Sequence, residues 1–208
     1  AGYASNSKYP FLGGIRSTAQ MISYEIAMGL AVVPVFMLVG KLNLSAVIDY
    51  QASGAWLVFK QPLAFAIFLI AIFAETNRLP FDLPESETEL VAGYNTEYSS
   101  MRFALFFMGE YAAMIAGSAL MVVLFCGGWM LPFGDYFNTP AQSLGQGLVH
   151  IAVFIAKTAV FLGLMIWVRW MLPRFRYDQL MNIGWKRFLP LSLANIILTA
   201  IVLWVLHS

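Results

Sequence analysis

What most constrains this chain is the length of its uninterrupted apolar runs. Between residues 18 and 206 they recur at lengths that cross the roughly 30 Å hydrocarbon core of a bilayer as helices. They lack the regular polar positions that a half-buried helix or strand of a water-soluble fold needs. Five spans are expected, at about 18–39, 56–74, 103–126, 147–168 and 188–206. Hydrocarbon offers no hydrogen bonds, and each unpaired backbone group there costs several kcal/mol, so only helices or a closed barrel can cross it. Runs this long and uniformly apolar exclude barrel strands. The expected fold is all-α, a multi-pass transmembrane helix bundle forming a single membrane domain over 1–208. Composition agrees: 11% of the 208 residues are charged, against roughly 25% in a soluble domain.

Charge and cysteine content exclude other classes. The formal net charge is +1, and the basic residues sit in short clusters at segment ends instead of along one face, so nucleic acid is not an expected partner. Cys126 is the single cysteine, so this chain alone builds neither a disulfide framework nor a thiolate metal site, and no redox centre is expected in it. The chain opens Ala1-Gly2-Tyr3-Ala4, without Met and without the layout of a signal peptide, and is read as the C-terminal part of a longer one.

Basic residues in short loops favour the cytoplasmic side. If 1–17 face the cytoplasm, that side holds Lys8, Arg16, Arg78, Arg102, Arg169, Arg174, Arg176, Lys186 and Arg187, and the other only Lys41 and Lys60. The expected topology therefore has a cytoplasmic N-terminal end and a C-terminus on the opposite side. Trp167, Trp170 and Trp185 fall near the cytoplasmic boundary and read as interface anchors.

Three ionisable residues lie inside apolar runs: Glu25, Glu110 and Lys157. Glu25 follows Arg16 by nine residues and Glu110 follows Arg102 by eight, which puts both about 12–14 Å in from the cytoplasmic edge. A charge at that depth costs about 2.5–3.5 kcal/mol on insertion scales and usually faces a polar cavity or a second buried charge. Proton transfer is one reading of the two glutamates; the other is a protonated carboxyl that hydrogen-bonds a neighbouring helix as packing glue. Lys157, twelve residues before Arg169, is too deep to snorkel and calls for a partner, either one with which it exchanges charge or a static carboxylate.

The strongest local signal is the stretch 75–102, with six carboxylates (Glu75, Asp82, Glu85, Glu87, Glu89, Glu97) against Arg78 and Arg102. Asp82 followed by Glu85 has the form of a capping box, Pro84 suits a first helical turn, and Gly93 would end a short helix of about ten residues. Glu75 falls where the helix dipole disfavours an anion, which points to pairing with Arg78 one turn on or to a carboxyl that holds its proton. Leu79, Phe81, Leu90, Val91 and Tyr94 interleave with the acids, which suits a loop folded against protein better than a solvated one.

Here the sequence closely resembles the H-type membrane subunit family of NADH-quinone oxidoreductase (complex I), counterpart of the mitochondrial NADH dehydrogenase subunit one. The resemblance runs through Glu75-Thr76-Asn77-Arg78, Pro80-Phe81-Asp82, Glu89-Leu90-Val91, Glu97-Tyr98 and Phe103-Ala104-Leu105-Phe106-Phe107. Two further blocks match, Ser5-Asn6-Ser7-Lys8-Tyr9 with Gln20-Met21-Ile22-Ser23-Tyr24-Glu25, and Pro173 to Met181 with Trp185-Lys186. It implies that the five spans are the last five of eight. It also implies a membrane subunit of a proton-pumping NADH:quinone oxidoreductase, in a bacterial inner membrane or equivalent energy-converting membrane. Quinone would be the substrate at a shared site, with FMN and iron–sulfur clusters in partner subunits and no cofactor bound by this chain alone.

By the same resemblance Asp82, Glu85, Glu87, Glu89 and Glu97 form an acidic loop beside the quinone cavity, and Glu25, Glu75 and Glu110 belong to a proton path, to which the depth of Lys157 adds that residue as a further candidate. Arg16, Arg78 and Arg102 are charge partners. Arg174, Arg176 and Asp178 face the cluster-bearing peripheral arm, and other membrane subunits adjoin. Phe103, Phe106 and Phe107, at helical spacing before Glu110, line the quinone tunnel or simply pack. A related membrane-bound hydrogenase or energy-converting complex is the nearest competing identity. A secondary transporter is the competitor from another class, disfavoured by the absence of an internal repeat.

Overall fold

The computed structural model describes residues 2–82, 93–131, 141, 143–173 and 175–207, and among these the chain is helical with no strand. The helices are α1 (Lys8–Val39), α2 (Leu44–Ala52), α3 (Leu57–Lys60), α4 (Pro62–Glu75), α5 (Ser100–Phe125), α6 (Leu144–Met171), α7 (Tyr177–Ile183) and α8 (Leu189–His207). A π-helical turn, Gly184–Phe188, joins α7 to α8, and a 3₁₀ turn, Gly93–Asn95, precedes α5.

Among the described residues four helices are long and apolar enough to cross a bilayer: α1, α5, α6 and the continuous run from α7 into α8. Their outward faces are apolar, with Ile155, Val160, Ile197, Leu198 and Trp204 each more than half exposed, which suits lipid or neighbouring membrane helices and not water. The span expected at 56–74 is instead built in two pieces. Gln61, at φ −132° and ψ 59°, separates α3 from a 14-residue α4 that starts on Pro62. At 1.5 Å per residue α4 is about 21 Å long, short of a full crossing on its own. It sits at the centre of the bundle, with Ala64, Ile67, Phe68, Ala71, Ile72, Phe73 and Ala74 buried. The first expected span also begins earlier than read, at Lys8, because Pro10 is tolerated in a first helical turn.

Apolar packing ties these elements to α1. Tyr24 is fully buried, its ring 6.0 Å from Phe81 and 6.1 Å from Phe188, and its hydroxyl donates to the Leu180 carbonyl at 3.0 Å. Phe81 stacks on Phe175 at 5.4 Å, and the Phe175 amide donates to the Pro80 carbonyl at 3.0 Å. Gly13 is where α1 meets the 3₁₀ turn: a Cβ there would stand 2.8 Å from the Tyr94 amide nitrogen. Thus the start of α1, the segments flanking the acidic loop and the stretch around 175–183 meet at one end of the bundle. The short helix expected after Asp82 falls on 83–92, outside the described residues.

Candidate functional site

That end carries the charge. Glu110, on α5, accepts from the Tyr94 hydroxyl at 3.2 Å on Oε1 and pairs with Arg78 Nη2 at 3.4 Å through Oε2. The side chains of Arg78 and Glu110 are only 9% and 13% exposed, so both charges are held largely out of solvent. The Arg78 guanidinium also lies 4.5 Å from the centre of the Tyr111 ring. Asn77, with φ 49°, turns the chain sharply after α4, and that turn carries Arg78 across to α5.

The pairing differs from the simplest sequence expectation. Glu75 sits one turn before Arg78, yet the arginine goes to Glu110, and Glu75 Oε2 is buried without a hydrogen-bond partner. Glu25 lies within electrostatic reach of Glu75. Glu25 lies on an exposed face of α1 in this chain. Asp82 is buried and Glu97 exposed at either side of the acidic loop, while Glu85, Glu87 and Glu89 lie outside the described residues. Arg16 is 5.7 Å from the Tyr177 ring centre, and Arg102, Arg176 and Asp178 are exposed; Arg174 is outside the described residues.

A cavity of about 760 Å³ opens beside this cluster, lined from α1 by Phe11, Gly14, Ile15, Thr18 and Ile22 and from the other side by Asn77, Tyr94 and Phe106. Its size falls in the range of small-molecule sites, roughly 300–1,000 Å³, and its wall is mostly apolar. Of the three phenylalanines named from sequence, Phe106 lines it, packing edge-on against Tyr94 at 5.5 Å and Tyr98 at 5.2 Å. Phe103 and Phe107 pack on each other at 4.8 Å.

Sequence reasoning missed three residues here. Tyr94 belongs both to the cavity wall and to the hydrogen bond on Glu110. Tyr111 supplies the ring beside Arg78. Gln20, fully buried, donates to the carbonyls of Ala74 and Phe81, both at 2.8 Å, and so ties the segment bearing Glu75 and Arg78 to α1. An amide in the middle of an apolar run was the available signal for Gln20, since such a group needs partners.

Lys157 stands apart from the carboxylates. Its ammonium donates to the carbonyls of Cys126, at 2.7 Å, Gly128, at 3.1 Å, and Met130, and lies 4.4 Å from the Trp56 ring centre. Among the described residues, no group of three or more His, Cys, Asp or Glu side chains is placed to hold a metal ion.

Comparison with known proteins places this geometry in a family. Residues 1–200 match the family model described as NADH dehydrogenase. The chain is 55% identical over 202 residues to an H-type NADH-quinone oxidoreductase subunit of Geobacter sulfurreducens, covering 97% of this chain and 54% of that one. It is 51% identical over 209 residues to NADH-quinone oxidoreductase subunit 8 of Rhodothermus marinus, covering 97% and 61%. With the H-type NADH-quinone oxidoreductase subunit of Rickettsia typhi it shares 53% over 205 residues, covering 98% and 58%. The chain thus spans a little over half the length of these relatives.

Proposed function

The chain belongs to the NADH dehydrogenase family, together with the bacterial H-type subunits, and from that premise we propose that it walls one side of a quinone cavity and carries the first charges of a proton path leading away from it. The observation that supports this most directly is Tyr94. One side of its ring faces the apolar cavity, and its hydroxyl holds Glu110, which is itself paired with Arg78. A change of charge in the cavity therefore has a short route to a buried ion pair.

The cavity wall suits the ring and the first isoprenoid units of a quinone: Phe11, Ile15, Ile22 and Phe106 supply apolar surface, and Asn77 and Tyr94 supply polar edges. Reduction of a quinone takes up protons, and the acids nearest to hand are those of the 75–110 region. Glu110 gaining a proton would release Arg78, and a freed guanidinium in a low-dielectric bundle acts over a longer reach than in water. Glu75, with an unpartnered oxygen and Glu25 within electrostatic reach, is placed to respond, since two neighbouring carboxylates resist ionising together. Glu25, Glu75 and Glu110 are the proposed path. Asp82 and Glu97, with Glu85, Glu87 and Glu89 between them, form the proposed acidic rim of the cavity. Electrons reach the quinone from partner subunits that carry FMN and iron–sulfur clusters, docked at the end where Arg176 and Asp178 are exposed. That end is proposed to face the cytoplasm of an energy-converting membrane, where the basic residues gather.

Glu110→Gln in the assembled enzyme tests the reading. Glutamine keeps the size of the side chain and its bond from Tyr94 but takes no proton. Proton pumping coupled to NADH oxidation should fall on the order of a hundredfold, the low end of what a positioned proton-transfer group contributes. Pumping and quinone turnover at wild-type levels in this variant would reduce Glu110 to a packing role.

A further inference from the structure

The end of α5 lies where a helix end is hardest to accommodate. Lys157, which reaches it, is thirteen residues in from the start of α6 and fourteen from its end, about 20 Å from each. The end of α5 is buried within the protein, with Phe125, Cys126, Gly127, Gly128 and Met130 all withdrawn from solvent. The last carbonyls of any helix have no partner within it, and a buried one left unpartnered is costly.

Other elements of the chain supply those partners. The Val122 carbonyl accepts from the amides of Cys126 and Gly128, both at 3.0 Å, as the chain turns back through Gly127 and Gly128 at φ 70° and 56°. Gln51 of α2 donates its amide to the carbonyls of Val123 and Leu124 at 3.1 and 3.3 Å, and its own oxygen accepts from the Leu57 amide at 3.2 Å. Lys157 of α6 takes the next carbonyls, those of Cys126, Gly128 and Met130. A protonated lysine has three N–H donors and no acceptor, and three carbonyl oxygens meet it. A neutral amine would leave one of these carbonyls unserved and turn a lone pair toward it. Trp56 closes the fourth side with its ring face, a favourable place for a cation.

We propose that Lys157 is a positioning residue: as a fixed cation held by the carbonyls of Cys126, Gly128 and Met130, it caps the buried end of α5 and sets the height and rotation at which that helix presents Glu110 to Arg78 and Tyr94. Glu110 precedes Cys126 by sixteen residues on this helix, about 24 Å. A slip of one residue would move it by about 1.5 Å and turn it by about 100°, enough to break contacts of 3.4 and 3.2 Å. The consequence for pumping rests on the role proposed for Glu110; the capping itself does not.

Two measurements on the assembled enzyme separate these parts. The first reads the cap without activity, through alkylation of Cys126 by a maleimide, scored on the Cys126 peptide by mass spectrometry. Cys126 is buried, and Lys157→Met or Gln51→Leu should raise its labelling about tenfold by increasing local opening. Loss of a neighbouring cation would by itself slow alkylation, so a rise in Lys157→Met reports access. Unchanged labelling in both variants overturns the cap. The second reads protons pumped per electron. Arginine donates to carbonyls but does not give up its proton in proteins, so Lys157→Arg should keep the wild-type ratio, and Gln51→Leu should lower turnover and pumping together. A lower ratio with intact turnover in Lys157→Arg would make Lys157 a proton carrier and overturn the fixed-cation role. Should Lys157→Arg fail to assemble, Gln51→Leu decides alone: wild-type turnover there overturns the positioning role. Raised labelling with unaltered pumping in Lys157→Met and Glu110→Gln alike would instead retain the cap and reject the function assigned to Glu110.

Discussion

Ten residues into α5 the Glu110 carboxylate is held by an arginine at 3.4 Å and a tyrosine hydroxyl at 3.2 Å; at the end of the helix, sixteen residues on, the Lys157 ammonium is held by three backbone carbonyls and an indole face. The two solutions differ in what can change. A carbonyl neither gains nor loses a proton and cannot rotate away without breaking the turn that carries it. A carboxylate can be protonated, a hydroxyl can swing, and a guanidinium on a long side chain can move to a new partner. The same helix therefore joins a site with several possible charge arrangements to an end with one. That pairing is what the proposed proton path would require, because a switching charge does useful work only against a frame that stays put.

The sharpest way to break this contrast is Arg78→Met, which leaves Glu110 buried with its cation gone. Removing one partner of a buried pair typically costs about 3–5 kcal/mol, so the assembled enzyme should lose thermal stability clearly, or assemble poorly, and coupled pumping should fail. An unchanged melting temperature would mean that the pair contributes little and that Glu110 is already protonated. Next in size is Gln20→Leu, which spares every charge. It orphans the Phe81 carbonyl and leaves that of Ala74 to the long bond from the Asn77 amide at 3.4 Å, at about 1–3 kcal/mol for a buried group left unsatisfied. It should destabilise the enzyme and slow quinone turnover while leaving protons per electron unaltered, because the frame loosens but no titrating group is lost. A fall in that ratio would place Gln20 in the path itself.

How much of this is legible in the sequence follows the same division. The membrane spans are readable because apolar length is a local property, and α1, α5, α6 and the run into α8 all fall where the apolar runs do. The break in the second span is not legible, because a run apolar on every side gives no sign of the interruption at Gln61, and half of the residues of α4 are buried against protein. That Glu110 needs a partner is visible from its place inside an apolar run, and it is largely withdrawn from solvent. Which partner it takes is not visible, since Arg78 lies three residues from Glu75 and 32 from Glu110, and sequence distance favours the wrong choice. Tyr94 carries no sign at all beyond being one of several aromatics among the acids. Lys157 stands out as a buried cation, but carbonyl partners have no signature in a sequence, because every residue has one.

The smallest expected effect, and the one that best separates the two ends, is that of Tyr94→Phe. The substitution keeps the ring against the cavity and against Phe106 and deletes only the hydroxyl that reaches Glu110. A hydrogen bond to a charged group is worth about 1.5–3 kcal/mol, and Arg78 still holds the carboxylate, so the enzyme should assemble with a stability close to that of the wild type. Quinone affinity, read as KM, should hardly move if the cavity wall is intact. The pumping rate should fall about tenfold, less than in Glu110→Gln, because the link between cavity and ion pair is weakened while the acceptor remains. If KM rises instead and protons per electron stay constant, Tyr94 serves the cavity alone, and the route from quinone to the ion pair must pass through a residue other than this tyrosine.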